Sequence, residues 1–150
     1  MSKKINELTI FAGDFSTSLK LPLADGGVRA GFPSPAQDYI DRTFHFNRNI
    51  ISNPEATFYA VVHGDSMIGA GISENDLIVI DRSLDAQDGD IVVAYIEGDF
   101  TIKYLDLSEK SKGTIWLRPA NDKYSPIEIS ADRDFQVWGV VSSVVKRLRK

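Results

Sequence analysis

The chain of 150 residues has a formal net charge of −4 at pH 7, and 43% of its residues are hydrophobic and 25% charged. This length and balance are typical of a single globular core, and they exclude wholesale disorder and a pair of ordinary domains. The absence of cysteine excludes disulfides, a thiolate nucleophile and sulfur-ligated metal sites. The acidic balance argues against direct DNA binding, which needs a concentrated basic surface.

The sequence gives no sign of a membrane segment. No apolar stretch approaches the roughly 18–20 residues that a spanning helix needs. The start of the chain lacks the apolar core of a signal peptide. We therefore expect a cytoplasmic protein that has no membrane association.

The first 30 residues carry scattered apolar positions without helical or strand periodicity. We interpret residues 1–30 as a flexible arm ahead of a domain formed by residues 31–150. Ser34, Pro35 and Gln37 form a helix-start pattern, in which serine caps the helix and glutamine completes a capping box. This pattern predicts a short helix over 35–43, and a second helical turn is expected near 46–51.

The remaining sequence is typical of short β-strands separated by turns. Glu97-Gly98-Asp99 predicts a tight hairpin between two of the strands. The fold class is therefore expected to be mainly β, a compact sheet domain with one or two short helices. The predicted strands are 57–63, 77–81, 91–96, 100–107, 114–118, 127–129 and 135–145.

Ser66 is a candidate nucleophile because of its position after a strongly β segment. The segment Gly64-Asp65-Ser66-Met67 precedes further glycines, which suits a turn or short helix that exposes a side chain. The backbone amides around Ser66 could then face an oxyanion. The same composition is also ordinary for a turn, so a purely structural role is the alternative.

A serine nucleophile needs a base, and the sequence favours lysine over histidine for that role. His45 and His63 are the histidines of the chain, and neither suggests a Ser-His-Asp triad or a metal site. Lys103 lies in the middle of a strand in which both faces are largely apolar, so burial would lower its pKa. Its stem could instead extend to a sheet edge. Spacing alone does not place Ser66 beside Lys103.

Several short segments of the chain are distinctive when they are taken together and in order. They are Gly31-Phe32-Pro33-Ser34-Pro35-Ala36, Gly64-Asp65-Ser66-Met67, Gly71-Ile72-Ser73, Asn75-Asp76-Leu77, Gly89-Asp90-Ile91-Val92 and Phe100-Thr101-Ile102-Lys103, followed by Asn121, Tyr124-Ser125-Pro126-Ile127 and Gly139-Val140-Val141. These segments resemble the LexA/UmuD family of self-cleaving proteins. The resemblance runs in order from about residue 28 to 147, whereas the first 27 residues are not distinctive.

This resemblance implies a serine endopeptidase that cuts its own chain. Ser66 would be the nucleophile and Lys103 the base, with the backbone amides of Asp65 and Ser66 as the oxyanion hole. The scissile bond matches Ala30–Gly31, where family members carry alanine or cysteine before glycine. No metal and no cofactor is implied.

The resemblance also implies partners. The family forms homodimers, and a RecA filament on single-stranded DNA stimulates cleavage during the SOS response to DNA damage. The shortened UmuD-type chain then joins a Y-family, UmuC-like polymerase subunit for translesion synthesis. LexA carries a helix-turn-helix domain before its cleavage site, whereas 30 residues precede Gly31 here, so direct DNA binding is not expected.

Other functions remain open at this point. The chain could be a non-catalytic polymerase accessory subunit, or a phage or plasmid regulatory module in which self-cleavage is vestigial. The presence of both Ser66 and Lys103 disfavours the non-catalytic subunit, and a phage or plasmid regulator would require a DNA-binding partner chain. A signal peptidase would use the same pair of residues but would need a membrane anchor.

Overall fold

A computed structural model describes residues 7–12, 20–24, 40–45 and 50–149. The chain divides into two compact units, one formed by residues 1–13 with 55–150 and the other by residues 14–54. None of the helical segments in the described part of the chain has the length and apolar character needed to span a bilayer.

The described strands form an eight-stranded antiparallel sheet in the first unit and a two-stranded antiparallel pair in the second. The order in the large sheet is β1-β4-β5-β10-β6-β7-β8-β9, and the pair is β2-β3. The strands are β1 (Leu8–Ala12), β2 (Lys20–Ala24), β3 (Ile40–His45), β4 (Thr57–Val62), β5 (Leu77–Asp81), β6 (Ile91–Ile96), β7 (Asp99–Asp106), β8 (Ile115–Arg118), β9 (Ile127–Ile129) and β10 (Phe135–Val145).

The mainly β fold class is confirmed, and so are all seven predicted strands. The bounds of β5, β6, β9 and β10 are those predicted, because β-branched runs between turn residues mark them in the sequence. The predicted hairpin is also confirmed. Glu97 and Gly98 have φ of 48° and 92° between the paired residues Ile96 and Asp99, as a two-residue type I′ turn requires.

The predicted helix over 35–43 is wrong at residues 40–43. Ile40–His45 is strand β3, which pairs with β2 from Lys20 opposite His45 to Ala24 opposite Ile40. The β-branched and aromatic residues of this segment favour a strand once a partner is available. Residues 35–39 and 46–49 lie outside the described residues, and Ile50 is helical. The other described helices are single 3-10 turns, at Pro54–Ala56, Ile68–Ala70 and Lys110–Lys112.

The large sheet is packed on both faces. Neighbouring residues of a strand point to opposite faces, and both Val92 and Val93 of β6 are fully buried. Each such side chain stabilises the fold by roughly 1.5–3 kcal/mol. One cluster contains Leu8, Ala60, Val62, Met67, Ile72, Ile78, Ile80, Val93 and Ile102. The other contains Val92, Ala94, Ile96, Leu105, Leu117, Ile129 and Val140.

Strand β1 is an edge strand of the large sheet that the sequence did not predict. It pairs with β4 from Leu8 opposite Val62 to Ala12 opposite Phe58. Leu8 is buried in the first core cluster, so this part of the expected arm packs on the sheet. The expected boundary between residues 30 and 31 lies outside the described residues, and it stays a prediction.

Candidate active site

Ser66 lies in the turn that follows β4. Gly64 has φ of +90°, which favours glycine at this point of the turn. Met67, 1% exposed, anchors the turn in the first core cluster. The 3-10 helix Ile68–Ala70 follows, as expected from the glycine-rich sequence. The turn holds Ser66 in a buried position, with 3% of its surface exposed.

The segment after β8 fixes the backbone of this turn. The Ala120 N–H donates to the Ser66 carbonyl at 2.8 Å, and the Gly69 N–H donates to the Ala120 carbonyl, also at 2.8 Å. The side-chain amide of Asn121 donates to the Asp65 carbonyl at 2.9 Å. A buried backbone N–H or carbonyl group that is left without a hydrogen-bond partner destabilises the fold, so these hydrogen bonds hold the turn in one position.

The side chains of Tyr124 and Asp65 form a further contact beside the turn. The Tyr124 hydroxyl donates to Asp65 Oδ1 at 2.5 Å. This hydrogen bond, with burial and the negative charges of Asp65 and Glu7 as smaller causes, raises the pKa of Tyr124 above its ordinary value. Tyr124 is therefore a neutral hydrogen-bond donor near neutral pH.

Lys103 lies in β7 and is 4% exposed. Its Nζ donates to Ser66 Oγ at 3.1 Å, although the two residues are 37 positions apart in sequence. It also donates to Thr101 Oγ1 at 2.9 Å and to the Ile102 carbonyl at 3.0 Å. Burial lowers the pKa of Lys103 below its ordinary value, because a charged ammonium is disfavoured away from water.

The Glu7 carboxylate is in contact with both of these side chains. Its Oε2 accepts from Ser66 Oγ at 2.9 Å, and both carboxylate oxygens lie 3.1 Å from Lys103 Nζ. Its Oε1 also accepts from Thr101 Oγ1 at 2.8 Å and from the Ile102 N–H at 2.7 Å. The negative charge and the hydrogen bond raise the pKa of Lys103, against the larger effect of burial.

The structure therefore brings Ser66 and Lys103 together, and the turn carries the amides of Asp65 and Ser66. The expected cleavage site, Ala30 and Gly31, lies outside the described residues. His63 follows β4, and its Nε2 lies 2.8 Å from Thr9 Oγ1.

Sequence reasoning missed Glu7 and Thr101 as members of the site. Thr101 had a usable signal, because residues i and i+2 of a strand share a face and Thr101 precedes Lys103 by two. Glu7 had none, since residues 1–30 show no periodicity that would predict the pairing of β1 with β4.

Ser-Lys hydrolases activate their serine by hydrogen-bonding its hydroxyl to a buried lysine whose pKa is lowered, and Ser66 and Lys103 are arranged in this way. The profile of the Peptidase S24-like family matches residues 22–142, and the chain belongs to this family, as a UmuD-type member of the LexA/UmuD self-cleaving serine peptidases. Similar proteins are ImpA of Salmonella typhimurium, 40% identical over 130 residues (86% of both chains), and MucA of Escherichia coli, 38% identical over 116 residues (77% of both). LexA repressor 1 of Xanthomonas campestris pv. campestris is 40% identical over 130 residues, which are 86% of this chain and 62% of that protein.

Proposed function

We propose that the chain cleaves its own Ala30–Gly31 bond with Ser66 as nucleophile and Lys103 as general base. The observation that carries this proposal is the 3.1 Å separation of Ser66 Oγ and Lys103 Nζ at a buried position. Membership of a self-cleaving peptidase family supports it. Burial also supports the role of the base, because a lowered pKa makes the neutral amine accessible at lower pH.

The proposed reaction gives each of these residues a role. Neutral Lys103 takes the proton of Ser66 Oγ as that oxygen attacks the carbonyl carbon of Ala30. The backbone N–H groups of Asp65 and Ser66 stabilise the oxyanion of the tetrahedral intermediate. The Ala30–Gly31 C–N bond then breaks, and the protonated Lys103 returns its proton to the Gly31 amine. Water hydrolyses the acyl-Ser66 ester by the same route and restores the hydroxyl.

The proposal extends to the biological setting of the cleavage. A RecA filament on single-stranded DNA stimulates the reaction, and residues 31–150 then act as a homodimeric accessory subunit of a Y-family translesion polymerase. Support comes from the similarity to UmuD-type proteins across most of both chains. Repressor activity is not carried over from LexA, because the match leaves more than a third of that protein uncovered.

Intact-mass spectrometry of the purified chain tests the cleavage. The chain is incubated with activated RecA filament, or alone at about pH 10, where more of Lys103 is neutral. A product that begins at Gly31 is expected. Ser66→Ala and Lys103→Ala should stay intact, whereas Ser142→Ala should be cleaved normally, because Ser142 on β10 donates to the Val79 carbonyl and not to the site.

An intact wild-type chain under both conditions would contradict the proposal and favour a non-catalytic accessory subunit. Cleavage of Ser66→Ala at the wild-type rate would show that a contaminating protease is responsible.

A further inference from the structure

The position of Glu7 is fixed by the strand that follows it. The Glu7 carbonyl accepts from the His63 N–H at 2.7 Å, which extends the pairing of β1 with β4 by one bond. Leu8 is 4% exposed in the first core cluster, and Phe11 packs edge-on against Tyr59 with ring centroids 5.5 Å apart. The Glu7 side chain is 20% exposed, so its carboxylate is partly desolvated.

The hydrogen bonds at Glu7 run in the direction opposite to catalysis. A general base must accept the Ser66 proton, but here the Ser66 hydroxyl donates to Glu7 while Lys103 donates to Ser66. The carboxylate also favours the charged form of Lys103, which has no lone pair to accept a proton. Glu7 therefore shifts the pair toward the protonation state that cannot take the Ser66 proton, against the larger effect of burial.

The carboxylate also occupies space that a substrate needs. An attacked carbonyl carbon has to come within about 3–3.5 Å of the nucleophilic oxygen. Glu7 Oε2 lies 2.9 Å from Ser66 Oγ. A peptide bond cannot reach Ser66 from that side while Glu7 is bound.

Glu7 also occupies a backbone hydrogen-bond donor of β7 that a bound substrate could use. β8 pairs with the second half of β7, from Tyr104 to Asp106, and no other described strand extends the sheet alongside the first half on that side. The Ile102 N–H lies in this first half and donates to Glu7 Oε1. An extended peptide that added to β7 would need the same donor.

We propose that Glu7 is an internal competitive inhibitor of the Ser66–Lys103 pair, held in place by β1, and that its carboxylate has to leave before the chain can be cleaved. The inference rests on the self-cleavage proposed above and identifies how that site is kept inactive. An activating partner would then act by displacing residues 7–12 from β4.

The rate of unassisted self-cleavage tests the inhibition. Glu7→Ala and Glu7→Gln should raise this rate at least tenfold at pH 8, because the first removes the blocking group and the second its charge. Glu74→Gln is the matched control, since Glu74 is an exposed carboxylate in the turn before β5. It should leave the rate unchanged. Equal rates in the Glu7 variants and wild type would overturn the inference while leaving the self-cleavage intact.

A second readout does not depend on cleavage. In a Ser66→Ala background, NMR of ¹³Cε-labelled lysine follows the titration of Lys103, assigned by the signal lost in Lys103→Arg. The other titratable groups around the pair in the described residues are His63, Asp65 and Tyr124. The hydrogen bonds of these three groups to Thr9 and to each other do not involve the Glu7 side chain, although its charge adds a small contribution to the raised pKa of Tyr124.

The Lys103 pKa should be lower in Glu7→Gln than in the chain with Glu7. An unchanged pKa would show that the Glu7 carboxylate does not contact Lys103 when the protein is in solution, and the inference would fail. If the pKa shifts but no variant cleaves under any condition, the self-cleavage proposal fails and the inhibitory role falls with it.

Discussion

Lys103 is subject to two opposing influences on its charge. Burial disfavours the ammonium, whereas the Glu7 carboxylate favours it, and the net effect is a pKa below the ordinary value for lysine. The neutral fraction at a given pH is therefore larger than for an exposed lysine, yet it still grows as the pH rises. This places the activity of the base under direct control of pH.

The unassisted cleavage rate should therefore depend on the protonation of Lys103. Below the pKa of Lys103 in the folded chain, the neutral fraction rises about tenfold per pH unit, and the rate should rise with it. Above that pKa the rate should become constant. Initial rates by mass spectrometry between pH 6 and about 10 check this, with Ser66→Ala giving the background at each pH. A rate that stays constant across the pH range in which the NMR signal of Lys103 titrates would rule out Lys103 as the base.

At the scale of elements, the site depends on the contact between the Ser66 turn and the segment after β8. Gly69 makes this contact possible, because a Cβ at this position would lie 2.5 Å from the backbone oxygen of Ala120. That oxygen accepts from the Gly69 N–H, and the Ala120 N–H in turn donates to the Ser66 carbonyl. A side chain at 69 would therefore push apart the two segments that position the nucleophile.

Gly69→Ala should slow cleavage at least tenfold, because a displacement of about 1 Å at a nucleophile can cost two orders of magnitude in rate. Gly139→Ala is the matched control, since its Cβ would also meet an atom at 2.5 Å, in this case Ile80 Cγ2 in the core. Both should lower the free energy of unfolding by about 1–3 kcal/mol in urea titrations. Equal slowing by the two variants, measured well below their melting temperatures, would contradict a specific role for the Gly69 contact.

The sequence predicts the elements of this sheet unevenly, for physical reasons. β5, β6 and β10 carry β-branched runs between turn residues, so local preference and sheet pairing agree. The expected helix over 35–43 rested on a capping pattern, and the pairing of β3 with β2 outweighs it at residues 40–43. β1 has no distinctive local pattern, and its partner β4 lies about 50 residues away.

The same contrast applies to the site. Ser66 and Lys103 each stand out locally, one in a glycine-rich turn and the other as a charge in an apolar strand. Their 3.1 Å separation depends on the order of strands in the sheet, which spacing alone does not give. Glu7 depends on the same order and has no local signal, so it could be found only in the folded chain.

At the scale of the whole molecule, the site is assembled from four distant parts of one sheet unit: the residue before β1, the turn after β4, the middle of β7 and the segment after β8. Loss of packing anywhere in this sheet would be expected to loosen the site. β1 differs from the other parts because it is an edge strand, bound to β4 on one side. It can detach by breaking its hydrogen bonds to β4 while the remaining seven strands stay paired with one another.

Leu8→Ala and Leu117→Ala should separate detachment of β1 from general destabilisation. Leu117 is fully buried in the second core cluster, and its truncation should cost about 2–5 kcal/mol in urea titrations made in the Ser66→Ala background. Leu8→Ala should lower the free energy of unfolding by less, because an edge strand can detach without unfolding the sheet. The same substitution should speed unassisted cleavage several-fold, because it frees Glu7 from the site. Leu117→Ala should not accelerate cleavage at temperatures where the chain stays folded. Equal acceleration by both variants would mean that overall loosening of the fold, and not release of β1, exposes Ser66 and Lys103.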